Sequence, residues 1–168
     1  MEKYIIEINW EGFLNIEEVI RGKNSAGREP DWLGRDYGVY QIYGHHILCG
    51  DDTLLYVGQV AKETFSERFR EHKVNLLKDD NLDKIKIYLG RLQNTPKYNP
   101  KDEWEMYYRD EDIVESILIY KYLPPYNGSR KGDYPNLYQY TEIKLAHKGD
   151  KGRLELEDIA PSDYLKGE

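Results

Sequence analysis

Apolar and polar positions alternate with a period of two along several stretches of the chain and with a helical period along others. Residues 4–10, Tyr-Ile-Ile-Glu-Ile-Asn-Trp, read as a strand. Asn15 then stands as the N-cap of a short helix over 16–21, with Glu17 and Glu18 placed to complement its N-terminal dipole. Residues 22–36 are rich in Gly, Asn, Ser and Pro and read as a loop. Two β-rich runs follow, 37–43 and 53–60, around the turn formers Gly50-Asp51-Asp52-Thr53. They predict a hairpin over roughly 38–59 that brings Tyr40 and Tyr56 side by side on neighbouring strands. The adjacent Gly38 and Gly58 leave room for another backbone or a bulky ligand to approach.

Helical spacing takes over from Thr64 to Lys78, with Thr64 or Ser66 as N-cap and Asp79-Asp80-Asn81 as the stop. Phe65, Phe69, His72 and Leu76 define its inward face, and Arg68 lies one turn before His72. Residues 84–92 alternate cleanly as a third strand, and 93–102 form a polar connection. A second long helix is predicted from Asp110 to Leu123, acidic in its first turn and stopped by Pro124-Pro125. Residues 137–146 and 153–159 read as two further strands joined at 147–152.

A chain of 168 residues suits one domain with a sizeable core. No apolar run approaches the ~20 residues needed to span a bilayer, so no membrane is expected as a partner. The N-terminus does not read as a secretory signal. The single cysteine, Cys49, excludes an internal disulfide framework and a cysteine-clustered zinc site; it reads as a hydrophobic filler and fits a reducing cytoplasm. Sixteen tyrosines against three phenylalanines suit a wet, polar recognition surface. The net charge of −7 argues against nucleic acid, yet residues 59–101 carry ten basic against six acidic side chains. One basic stretch inside an acidic chain is compatible with a narrow phosphate-binding surface.

Glu115 is set among Ile113, Val114, Ile117, Leu118 and Ile119. A carboxylate buried there needs a cation, either Arg68 or a metal. Mg²⁺ keeps much of its water and is held by one carboxylate plus phosphate oxygens. Arg68 offers a planar fork for phosphate, and His72 can accept a proton from a tyrosine hydroxyl. Tyr40 and Tyr56 are useful as bases only where a nearby charge changes their acidity. Each feature also has a plain reading: core tyrosines, a surface Arg–His pair, a solvated glutamate. His45-His46, Asp51-Asp52 and Asp79-Asp80 read as structural, because neighbours on a strand face opposite ways and turns favour Asp.

Taken together, Gly38-Val39-Tyr40, Tyr56-Val57-Gly58, Arg68 with His72, Glu115 and Asn127 after Pro124-Pro125-Tyr126 resemble the GIY-YIG nuclease family. The five elements come in family order over about residues 37–127, with Val for Ile in both name-giving motifs. The resemblance implies an α/β (α+β) domain with a small three-stranded mixed or antiparallel sheet flanked by helices. Residues 1–36 and 128–168 would be β-rich extensions of one domain. It implies a DNA endonuclease dependent on Mg²⁺, or on Mn²⁺, and restriction-like in its small size. Glu115 would bind the metal and Arg68 the scissile phosphate. Tyr40 would be the base, assisted by His72; Tyr56 would position phosphate or water, and Asn127 would support the site or touch phosphate. Polar loops 22–36, 93–110 and 128–136 would read bases, and a homodimer would be needed to cut both strands. The alternative is a catalytically silent nucleic-acid-binding or protein-interaction module.

Overall fold

The alternating stretches form strands and the helical ones helices, as described by a computed structural model for residues 2–22, 38–60, 63–93, 110–128 and 140–160. In chain order these are β1 (Glu2–Leu14), α1 (Ile16–Ile20), β2 (Gly38–His46), β3 (Gly50–Val60), α2 (Phe65–Val74), β4 (Lys86–Gln93), α3 (Asp110–Tyr122), β5 (Tyr140–Gly149) and β6 (Glu157–Ala160). Residues 23–36, 94–109 and 129–139, which include most of the three loops expected to read bases, lie outside the described residues.

The expectation of a three-stranded sheet is corrected. Among the described residues six strands join one sheet in the order β3-β2-β4-β1-β5-β6. The hairpin strands and β4 form one half of it, with β2 antiparallel to both neighbours. The supposed extensions build the other half. β1 pairs antiparallel with the remaining edge of β4, β5 joins β1 in parallel, and β6 closes antiparallel on β5. Periodicity marks each strand as half-buried but carries no information on its partner. An unpaired β4 edge would leave a row of backbone groups open, and β1 fills it.

The two sheet faces bury different helices. Ile6, Ile8, Val39, Val57, Ile143 and Leu145 pack under Ile113, Val114, Ile117 and Leu118 of α3. Tyr40, Ile42, Leu55, Ile87 and Leu89 pack against Val19 of α1 and Phe65 and Phe69 of α2. Val39 and Tyr40 thus face opposite ways on β2, as a pleated strand requires. Asn15 and Glu18 form a reciprocal cap on α1, and Thr64 and Glu67 do the same on α2. Helix α2 stops at Val74, short of the expected Lys78, and the chain turns through Asp80. Leu123, with φ of +47°, ends α3 before the two prolines.

The hairpin turn sits earlier than the sequence suggests, over 47–49, and Gly50 already begins β3. Asp52 carries a positive φ within the strand, next to irregular pairing between Gly44 and His46. Asp51 bonds His45, and Asp52 bonds Lys86 at 2.7 Å. The turn formers therefore serve a bulged strand end. Cys49 lies exposed in the turn and is not the buried filler expected of it. Among the described residues no helix is long and apolar enough to cross a membrane.

Candidate active site

Tyr40 is the centre of a cluster assembled from β2, β3 and α2. Its side chain is 1 % exposed. The ring stacks on Tyr56 of β3 at 6.0 Å, and Phe69 of α2 meets it edge-on at 5.0 Å. The backbone fixes this approach through glycine. A Cβ on Gly58, the register partner of Tyr40, would lie 2.3 Å from the phenol carbon and oxygen. At Gly38, φ is +148° and a Cβ would lie 2.2 Å from the Gly90 carbonyl oxygen. The two motif glycines thus admit the Tyr40 ring and the β4 backbone.

One turn of α2 beyond Phe69 brings His72 to the phenol, with Tyr40 Oη 2.6 Å from His72 Nε2. The His72 ring also stands edge-on to Tyr56 at 5.5 Å. Burial, aided by the charge of Arg68, holds the His72 imidazole down at about 4. Around neutral pH it is therefore uncharged, with a ring nitrogen free of charge at the Tyr40 hydroxyl. Burial pushes the Tyr40 phenol well above its usual value; Tyr56 and Glu115 push it further, and Arg68 opposes them. Of these three, Tyr56 is the one stacked on the Tyr40 ring; Arg68 and Glu115 act on the hydroxyl through their charge.

Arg68 is a third exposed and forks between two glutamates, with Nη2 2.5 Å from Glu63 and Nη1 3.2 Å from Glu71. Its Nε is buried and has no hydrogen-bond partner among the described residues. Burial raises the Glu63 carboxyl, despite the opposing pull of Arg68. Glu71 follows from helical spacing. Glu63 precedes the N-cap, outside any helical period, so no pattern in the sequence points to it.

Glu115 is buried on α3, among the apolar neighbours that flag it in the sequence. As a single hard carboxylate it fits Mg²⁺ or Mn²⁺ better than a soft metal. Among the described residues no group of three or more His, Cys, Asp or Glu could hold a metal ion. A site completed by water and phosphate oxygens needs no such group. Asn127 is placed differently from its neighbours in the motif. Its Oδ1 accepts from Val57 N at 3.0 Å and its Nδ2 donates to Val57 O at 2.8 Å. Together with Tyr126 N on Leu55 O at 2.9 Å, it covers the open edge of β3 between the two motif residues Tyr56 and Gly58. Compared with known proteins, the chain matches no family model, no curated protein and no solved structure.

Proposed function

We propose that the chain is a divalent-metal-dependent DNA endonuclease of the GIY-YIG type, acting in a reducing cytoplasm. The observation that carries this reading is the Tyr40 hydroxyl, bonded to an uncharged histidine and within electrostatic reach of Tyr56, Arg68 and Glu115. Tyr40 and His72, 32 positions apart in sequence, meet in one hydrogen bond. Hydrolysis of a phosphodiester needs a base for water, a fixed cation for the developing charge and a Lewis acid, and each has a candidate here.

Tyr40 is favoured over Tyr56 as the base because it is the phenol bonded to His72. Its raised pKa means that no phenolate stands ready near neutral pH. The attacking water gives its proton to the Tyr40 oxygen as the phenol proton passes to His72 Nε2. Arg68 holds the non-bridging phosphate oxygens and receives the charge that builds on them. Tyr56, stacked on Tyr40, orients phosphate or water, and Asn127 keeps β3 in register beneath both. Glu115 would hold a Mg²⁺ or Mn²⁺, which would supply Lewis-acid neutralisation of the phosphate when bound. Cleavage of both strands takes two copies of the chain.

The test is digestion of supercoiled plasmid with Mg²⁺, run beside Glu115→Ala and Arg68→Ala. Nicking or cutting by the native chain that both folded variants lose is the expected result. Unimpaired activity of Glu115→Ala refutes the reading. Discrete bands indicate a sequence-specific, restriction-like enzyme, and a smear indicates non-specific cleavage. DNA binding without any cleavage leaves the silent module.

A further inference from the structure

We infer that Glu63 occupies the phosphate position of Arg68 in the unliganded protein, so that a DNA phosphate binds by displacing a carboxylate of the chain itself. The inference rests on the proposed phosphate role of Arg68. A guanidinium receives an oxyanion side-on through two parallel donors, Nε–H and the neighbouring Nη2–H. Here Glu63 takes Nη2 with one oxygen at 2.5 Å, while Nε, buried, has no partner among the described residues. The fork is half used. A tetrahedral phosphate carries oxygens for both donors and meets the unpaired one.

The placeholder is also poorly held. Its carboxylate sits among like charges, with Glu67 and Glu71 acting on it, and burial disfavours its ionised form more than Arg68 favours it. Its side chain is 24 % exposed, at the start of α2, so it has solvent to move into. Glu71 binds the far nitrogen Nη1, at the longer 3.2 Å. It can stay in place when phosphate arrives, keeping the guanidinium plane fixed. Exchange of one anion for another also gives an acidic chain a way to shield Arg68 from stray anions, since a ligand must outcompete a tethered carboxylate.

Binding of the full chain to a short fluorescent DNA duplex, followed by anisotropy at low ionic strength in EDTA, tests this without hydrolysis. Glu63→Gln keeps the shape and removes the charge. It should bind about two- to fivefold tighter than the native chain, the worth of a partly exposed ion pair no longer competing. In an Arg68→Ala background the same change should bring no gain. A merely structural Glu63 predicts the opposite sign, a loss through misplacement of Arg68. Loss of binding in Arg68→Ala with no gain in Glu63→Gln sinks the inference alone. A gain that persists without Arg68 also sinks it, as a general charge effect. Native affinity in Arg68→Ala sinks both the inference and the phosphate role beneath it.

Discussion

Gly58→Ala tests the construction of the site with a single methyl group. The new Cβ would lie 2.3 Å from Tyr40 Cζ and Oη and 2.8 Å from Tyr56 Cε1. Carbon atoms in ordinary contact stand about 3.5–4.0 Å apart, so the Tyr40 ring must yield by more than 1 Å. It has nowhere to go, being 1 % exposed with Phe69 and Phe65 edge-on to it. Overpacking of this kind costs about 1–3 kcal/mol. For a chain of this size that lowers the melting temperature by roughly 2–12 °C. The hydroxyl would also be moved off His72, where it now sits at 2.6 Å. A displacement of that size at a reacting group costs about a hundredfold in rate. Calorimetric melting and plasmid cleavage, read together, check both effects. Tyr40→Phe separates them, losing cleavage without the steric penalty. A Gly58→Ala chain that melts and cleaves like the native one refutes the placement of Tyr40 over Gly58.

The imidazole of His72 goes from its ordinary 6.5 to about 4 in the folded chain. The unfolded chain binds more protons between those values, so stability is full above pH 6.5 and declines towards pH 4, by up to about 3 kcal/mol before allowance for partial exposure. Urea midpoints across that range should fall less steeply in His72→Phe; identical slopes would contradict the buried, uncharged ring. Asn127→Leu strips partners from Val57 N and O, both of which it now satisfies, and should cost about 2–4 kcal/mol in urea unfolding. A loss under about 0.5 kcal/mol would show that the β3 edge does not depend on it. Burial pushes the Asp158 carboxyl up, but bonds from His147 and Lys121 outweigh that and hold it below the usual range. Asp158→Ala leaves those partners unmatched and should cost about 3–5 kcal/mol; a near-native urea midpoint would count against the network.

The local elements were legible because each is set by its own residues. Asn15 and Thr64 cap helices on which a reciprocal glutamate follows three positions later, and Pro124-Pro125 can only follow a helix end. Glu115 was legible for a related reason, since a carboxylate inside an apolar helix face demands explanation. The sheet was not, because pairing is decided between strands far apart in sequence. Nothing local in Tyr4–Trp10 says that its neighbours are β4 on one side and β5 on the other. The hairpin turn was misplaced because Gly and Asp serve a bulged strand end as well as a turn. Glu63 escaped for want of periodicity, being fixed by the guanidinium it meets.

The added half of the sheet bears on the site through α3, the helix that carries Glu115. Near the N-terminus of α3, Tyr4 of β1 donates to both carboxylate oxygens of Asp110, at 3.0 and 2.9 Å, and Gln59 of β3 donates to Asp112 at 2.7 Å. At its C-terminus, Lys121 and Tyr122 bond Asp158 of β6, and Tyr122 accepts from Glu155 N at 3.1 Å. Asp158 is held in turn by a chain of bonds with one direction. Trp10 Nε1 can only donate, so His147 Nδ1, 2.9 Å away, must accept. The His147 proton then sits on Nε2 and is given to Asp158 at 3.0 Å. This line runs through β1, β5 and β6 to the end of α3. Without those strands α3 would keep its apolar contacts to β2 and β3 and the bond from Gln59 to Asp112, and would lose Tyr4 at one end and Asp158 at the other. Apolar packing tolerates sliding, whereas directed bonds at two ends fix both the height and the rotation of a helix. The strands outside the motif region therefore help to decide where the Glu115 carboxylate stands relative to Tyr40 and Arg68.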